Sequence, residues 1–552
     1  MPGFSVEAVE THTFGDYATN AAMLLARELK KSPMEIAEQL AQAIRQEGGG
    51  QFNIEAANPG FVNFTLSEST LKKGLEEILS NQEAWGTSAE GNGKTAVVEY
   101  FQLNIAKRPH VGHLRSAVIG DALKRILLSQ GYHAISDTHV GDWGTQFGML
   151  LLGFKTEGMR LEDVQKLGDP FGELEKVYTE ANARIEKEPS LRDKAKLEFA
   201  KLEQGDKQNR ELWEWMVRVS MEKLEESAQR LGLLPFDEHK GESAYENEMP
   251  GIVEDALAKR VAVKKEDGAV TVDLTSENLD EAILIKSDSA STYLLRDLAT
   301  ITYRKEHWNF WRNLYVVDVR QAHHFRQVFR VAELLGYEGI GDSKHVEFGF
   351  LKLPEGPMST RAGNVISLDA VMDEAFTRAR AVIKEKNPEL ANADNVARVV
   401  GIGALKYFDL SHNRRSDIVF SWDAALSFEG NTGPYLQYTH ARLKSILRKA
   451  GDVKHSVFNI LSRMDEQERR LAVGLLRLPE AMEDAMADWS PHVLAAYLHK
   501  LAQQANEFYH LHPVIQESDA EKRALRIALV SAAALTLAKG LSLLGIDAPD
   551  EM

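Results

Sequence analysis

Between Thr95 and Leu128 the apolar positions change their period. Val97-Val98-Glu99-Tyr100-Phe101 is β-branched and aromatic apart from one glutamate, which suits a pleated, buried strand. Leu114, Val118, Ile119, Ala122, Leu123, Ile126 and Leu127 then recur at helical spacing and stop at Gly131. That pattern predicts an amphipathic helix over 114–128. Between the two lies His110-Val111-Gly112-His113. Strand, tight turn and helix in that order set two imidazoles at a helix N-terminus, where free N–H groups and the dipole favour an anion such as phosphate. Gly112 has no Cβ to keep a nucleotide off the backbone. The histidines could donate hydrogen bonds to a triphosphate and stabilise charge built up at an attacked phosphorus. Four such residues alone favour the plainer reading, a loop whose histidines merely cap the helix or face water.

The pattern divides the rest of the chain as well. Residues 1–90 hold Gly15-Asp-Tyr-Ala-Thr-Asn20, a helical stretch to Lys30 and the apolar run Gly60–Leu66. The polar, glycine-rich Thr87–Gly93 reads as a linker. Residues 91–159 open a nucleotide-binding unit, and 160–280 interrupt it with a charged, mostly helical region ending in strand-like Ala269–Leu274. Strand-like Ala282–Ile285 and Leu314–Val317 resume the sheet within 281–390, alternating with helices. Such alternation predicts a parallel sheet with ligands at the carboxyl ends of its strands. In 391–552 strands largely disappear, and helical patterns fill 396–410, 434–450, 464–487, 491–509 and 520–544. The fold class is therefore multidomain α/β, with a small α+β unit first and an all-α unit last.

At 552 residues the chain is long for one core. It contains no cysteine, which excludes disulfides and any thiolate zinc site. No uninterrupted apolar run reaches transmembrane length and no signal-peptide pattern opens the chain, so no membrane and a cytoplasmic location are expected. A net charge of −17 does not suggest an RNA binder, although average charge does not decide the local field. Arg442, Lys444, Arg448 and Lys449, with Arg378 and Arg380, are candidate basic faces. Each is as readily a solvated helix surface.

Several motifs lie in order along the chain. Asn104–Ser116 (Asn-Ile-Ala-Lys-Arg-Pro-His-Val-Gly-His-Leu-Arg-Ser) is followed by Gly120-Asp121 and by His139–Gly148 (His-Val-Gly-Asp-Trp-Gly-Thr-Gln-Phe-Gly). Far downstream come Met358–Asn364 (Met-Ser-Thr-Arg-Ala-Gly-Asn) and Ser427–Tyr438 (Ser-Phe-Glu-Gly-Asn-Thr-Gly-Pro-Tyr-Leu-Gln-Tyr). Together they resemble the class I aminoacyl-tRNA synthetases, and the arginyl-tRNA synthetases in particular, over nearly the whole chain. The absence of cysteine argues against the related cysteinyl enzymes, which use a cysteine-bound zinc.

The resemblance implies a Rossmann-like catalytic domain, an N-terminal additional domain that contacts tRNA in 1–90, and a helical anticodon-binding domain in 391–552. It implies ATP-dependent ligation of L-arginine to tRNA(Arg) through an arginyl-adenylate, with release of AMP and pyrophosphate. Activation is expected to need bound tRNA. Mg²⁺ would be held mainly by the phosphates, no zinc is expected, and the enzyme would be a monomer. Arginine's carboxylate is already ionised, so adenylate formation needs positioning and charge stabilisation rather than a base. Carried over by position, ATP falls to His110, Gly112, His113, Met358 and Ser359. Catalysis falls to His110, His113, Lys107 and Arg361. Arginine falls to Glu99, Asn104, His110, Tyr293, Asp297 and Gln321. Tyr293 and Asp297, four apart in a helical stretch, share a face. With Glu99 they are expected near the guanidinium, and Asn104 and Gln321 near the α-amino and carboxylate end.

The sequence departs from the family pattern at Pro357 and Ala362, where lysines that steady the phosphates are often found. Lys107 is the expected substitute cation. Two rival functions stay open: a tRNA-binding relative that has lost catalysis, and an enzyme that activates another cationic amino acid. A pocket that satisfies a hydrogen-bonding group rejects analogues lacking it by roughly 10⁴–10⁵, so no editing domain is expected.

Overall fold

The computed structural model describes residues 3–9, 14–47, 50–159, 161–352, 366–451 and 464–552. At its centre, strand Thr95–Glu99 pairs in parallel with His133–Asp137 on one side and Arg312–Tyr315 on the other, and Ser343–His345 follows at the edge. The register sets Glu99 beside both Asp137 and Tyr315, so the carboxyl ends of the three strands are level. A strand covered on both faces reads as a near-continuous apolar run, which is why Val97 and Val98 marked it. The chain leaves this first strand on one side and returns on the other, and such a switch point opens a crevice at the carboxyl edge.

Helix Leu114–Ser129 follows a short 3₁₀ turn, Val111–His113, as the pattern predicted. It is not amphipathic in place, because Arg115, Ser116, Asp121 and Lys124 are buried along with its apolar side. Each polar group finds a distant partner. Ser116 Oγ donates to the Val316 carbonyl at 2.8 Å, Lys124 meets Asp237 at 2.7 Å, and Arg115 meets Asp409 at 3.0 Å. The helix is sandwiched between the sheet and the C-terminal helices, so a polar face did not mean a wet one. Gly120 makes this packing possible: a Cβ there would fall 2.1 Å from the Tyr100 ring.

Ala282–Ile285 does not resume the parallel sheet. It pairs antiparallel with Val270–Val272, which in turn pairs with Val263–Lys264, in a separate three-stranded sheet. Its burial alternates, with Leu284 buried and Ile283 exposed, as in a sheet with one wet face. Thr87–Gly93 is not a free linker either. The Ser88 and Gly91 N–H groups donate to the carbonyls of Ser129 and Gln130 at the end of the buried helix.

At the N-terminus a four-stranded antiparallel sheet (Glu7–Ala8, Tyr17–Thr19, Phe61–Leu66, Phe52–Ala57) packs with helices Ala21–Leu29 and Pro33–Glu47. The next helix, Glu68–Ser80, docks instead on the C-terminal helices, where Gly74 lies against Leu476. Those helices include Ala393–Leu410, Gly433–Ala450, His492–Leu511 and Ala520–Leu543. The stretch expected over 464–487 is two helices, Glu466–Leu476 and Leu478–Ala487, because Pro479 fits a first turn but not a helix interior. Ala520–Leu543 is long and apolar enough to cross a membrane, but most of it is buried in the bundle against Gly433–Ala450 and His492–Leu511.

Candidate active site

A cavity of about 1050 Å³ opens at the carboxyl edge of the parallel sheet. Glu99, Asn104, His110, Gly112, His113, Tyr293, Asp297 and Gln321 all line it. Lys107 does not; its ammonium lies over the Tyr178 ring at 5.4 Å from the centroid. Met358, Ser359 and Arg361, with Pro357 and Ala362, lie outside the described residues.

The two histidines cap each other's backbone. His110 Nδ1 accepts from the Gly112 N–H at 3.1 Å, and His113 Nδ1 accepts from the His110 N–H at 3.1 Å. The rings lie 3.8 Å apart. Both Nδ1 atoms act as acceptors, so each neutral ring carries its proton on Nε2. Burial lowers the pKa of both, with Lys107 adding to the effect at His110. His113 is pushed down to about 3 by burial and by the neighbouring His110. At neutral pH the pair therefore offers two neutral donors. The capping use and the donor use of this motif are compatible, because they occupy opposite sides of the rings.

Acidic groups gather at the other end of the cavity. Glu99 Oε2 meets the buried Arg304 guanidinium at 2.6 Å, and Gln102 donates to Oε1 at 3.1 Å. Arg304 also meets Asp137 at 2.8 Å. Asp297 and Tyr293 project from helix Tyr293–Trp308. Tyr293 is 67% exposed, a rim residue rather than packing. Asp297 Oδ2 accepts from His324 Nε2 at 2.5 Å, and Oδ1 is 4.0 Å from His139 Nε2. Asn104 pairs with Gly141 through an isolated parallel bridge, and a Cβ on Gly141 would fall 2.3 Å from Asn104 Oδ1. Gln321 is exposed where a short turn enters helix Ala322–Leu334.

Sequence reasoning missed His139, His324 and Lys352 as wall residues, and the Arg296–Glu242 ion pair at 2.7 Å. His139 begins a quoted motif, and His324 follows Gln321 at helical i,i+3 spacing, so both carried a signal. No local pattern joins Arg296 to Glu242.

Away from the cavity the basic candidates are mostly neutralised. Arg378 meets Glu374 and Arg380 meets Asp394, both at 2.6 Å, while Lys444 and Arg448 meet Asp550 and Glu551. Arg442 instead lies over two partly exposed rings, Tyr438 at 5.1 Å and Tyr509 at 5.6 Å. Tyr435 accepts from Asn506, and Phe508 is core.

Three family models match the chain: the N-terminal domain of arginyl tRNA synthetases over residues 2–66, the catalytic domain of class I tRNA synthetases (R) over 74–422, and the DALR anticodon binding domain over 436–552. An arginine–tRNA ligase of Chloroflexus aggregans is 39% identical over 535 residues, which is 96% of this chain and 92% of the relative. One from Clostridioides difficile is 38% identical, covering 99% and 95%. Among solved structures, the Thermus thermophilus arginyl-tRNA synthetase is 28% identical with a TM-score of 0.81, covering 100% of this chain and 96% of that one. That of Plasmodium falciparum is 25% identical with a TM-score of 0.83, covering 100% and 95%.

Proposed function

Because the chain belongs to the arginyl-tRNA synthetases, class I ligases that join L-arginine to tRNA at the expense of ATP, we propose that the cavity at the sheet edge is where arginine and ATP meet. The observation that carries this is convergence. The six arginine-pocket positions, His110 among them, and the second motif histidine, His113, drawn from separated segments, line one space. ATP lies along the histidine side, with Gly112 against its phosphates. His110 and His113 donate Nε2–H to the phosphate oxygens as charge builds in the in-line attack. Arginine lies towards the acidic side, with its guanidinium between Asp297 and Glu99 and with Tyr293 over it at the rim. Five planar donors call for such acceptors. Asn104 and Gln321 hold the α-amino and carboxylate end.

Mg²⁺ held by the phosphates would add positive charge there. Among the described residues the trio that could ligate a metal, Asp465, Glu468 and His512, lies in the C-terminal helices and none of it lines the cavity. Met358, Ser359 and Arg361 serve the phosphates, as the motif they match implies, and Lys107 acts on them through the field it exerts at His110. The partner is tRNA(Arg). Residues 391–552 take its anticodon loop, where Tyr438 and Tyr509 give stacking surfaces beside Arg442, and 1–90 take another part of the same tRNA. The enzyme acts as a monomer in the cytoplasm, where charged tRNA is used.

Nothing in the site favours the non-catalytic alternative, since the donor pair and the acidic pocket are both present. The test is attachment of labelled arginine to unfractionated tRNA with ATP and Mg²⁺, with lysine and no-ATP controls. Arginine-specific, ATP-dependent charging is expected. Tight tRNA binding without charging would overturn the assignment. Charging by an Asp297→Asn variant with an unchanged KM for arginine would overturn the guanidinium pairing alone.

A further inference from the structure

The acidic end of the cavity is out of electrical balance. Two carboxylates, Glu99 and Asp297, line it, and the guanidinium of Arg304 is already shared between Glu99 and the buried Asp137. Asp297 faces two imidazoles instead, His324 at 2.5 Å and His139 at 4.0 Å. His139 is held there at some cost. It follows the strand His133–Asp137 with φ +40, in the left-handed region that a β-carbon disfavours. Its own N–H donates to Asp137 at 3.2 Å, and its side chain is only 10% exposed. Its Nδ1 has no hydrogen-bond partner among the described residues, and its Nε2 side faces Asp297.

We propose that His139 is a place-holding cation: its imidazolium faces Asp297 before arginine binds, and incoming arginine takes over that carboxylate and drives the imidazolium proton into solvent. The proposal rests on the placing of the guanidinium between Asp297 and Glu99. No covalent bond changes except N–H at His139, and the proton leaves to buffer. Two cations would otherwise crowd the same acceptor beside a mostly buried imidazole, and like charges so placed disfavour the one that can be discharged. Arginine's guanidinium cannot be discharged, so the histidine yields.

The surroundings agree with a charged His139 before arginine binds. Burial pulls its pKa down, Glu99, Asp297 and Asp137 push it up, Arg304 opposes them, and the net direction is up. Other groups facing this corner are otherwise engaged. Glu242 is ion-paired with Arg296, Asp142 accepts from Ser243, and the Tyr245 ring lies 5.8 Å from that of His139. His324 acts on the far oxygen of Asp297.

The experiment is calorimetric titration of L-arginine into the full chain from pH 6 to 8.5, in pairs of buffers with different ionisation heats. Proton release is expected to accompany arginine binding and to be larger at the acid end than at the alkaline end. Affinity should tighten by up to about tenfold per pH unit while His139 is charged. His139→Gln should abolish the release and flatten the profile, whereas His324→Gln should keep the release. Arginine binding without proton exchange in the wild type, or undiminished release in His139→Gln, would overturn the proposal. In case that variant does not fold, ¹⁵N spectra of labelled histidine rings in the wild-type chain give a second reading. One imidazolium should become neutral on adding arginine, and no change would overturn the proposal. An absence of any arginine binding would have a different signature, no heat at any pH, and would sink the pocket assignment together with it.

Discussion

His110 and His113 show how one side chain can serve structure and chemistry with different atoms. Nδ1 satisfies an orphan N–H of the helix start, and Nε2 remains free to donate into the cavity. Replacing either by Ala should slow arginine-dependent exchange of pyrophosphate into ATP by about 10²–10³-fold, measured with tRNA present. Loss of the cap should also cost about 1 kcal/mol in denaturant unfolding. The pH dependence has a definite sign. Below the ordinary histidine value of 6.5 the unfolded chain takes up a proton that native His113 refuses until about pH 3. The residue therefore costs stability increasingly as pH falls through that window, and His113→Ala should be less destabilising at pH 5 than at pH 7. An equal cost at both would mean that native His113 titrates normally. The missing lysine at Pro357 can be settled by a comparison of two cations. Lys107→Ala is expected to slow adenylate formation far more than it weakens tRNA binding. If it is silent and Lys352→Ala carries the loss, the cation is Lys352, which lines the cavity beside Asp417 at 2.7 Å.

At the scale of elements, glycine positions decide how closely parts approach. At Gly141 an added methyl must displace the Asn104 side chain, so Gly141→Ala should raise the KM for arginine by up to about tenfold, the worth of one hydrogen bond. It should leave the unfolding midpoint nearly unchanged. Gly120→Ala is the opposite case. Its methyl would meet the Tyr100 ring in the core, and overpacking of about 1–3 kcal/mol should appear in unfolding. An unchanged midpoint would mean that the helix can shift away from the sheet. The strand–turn–helix unit around His110 was legible because burial, period and helix polarity are local properties of Thr95–Ser129. The sheet that Ala282–Ile285 joins was not, since an apolar run of four does not name its hydrogen-bonding partner. The amphipathic expectation for Leu114–Ser129 failed for a related reason: the groups that neutralise its polar side belong to residues 237, 316 and 409. In the site, Glu99, Asn104, Tyr293, Asp297 and Gln321 came from the family resemblance, and folding brings them to one cavity, whereas the approach of His139 and His324 to Asp297 exists only after folding.

Across the whole molecule, the helix that begins at the motif histidines is also the joint between the catalytic sheet and the C-terminal bundle. Arg115, two residues past His113, is buried with Asp409 of helix Ala393–Leu410 at 3.0 Å. It also donates to the carbonyls of Gly349 and Ser416 at 2.8 Å. Gly349 belongs to the cavity wall, so one guanidinium ties the helix after the motif histidines, the wall and the distal helices together. Burial raises the pKa of the Asp409 carboxyl and Arg115 opposes it, so the carboxylate loses its main support when the guanidinium goes. Arg115→Met should therefore cost about 3–5 kcal/mol, the usual penalty for stranding one member of a buried pair. Because a stranded carboxylate can be neutralised by a proton, that cost should shrink as pH is lowered towards 4. Arg115→Met with Asp409→Leu should recover most of the stability, since no charge is left buried. Charging by the double variant then separates two roles. A chain as stable as the parent but slow in arginine-dependent pyrophosphate exchange would mean that Arg115 positions the wall for catalysis. Full activity would confine the pair to holding the domains together.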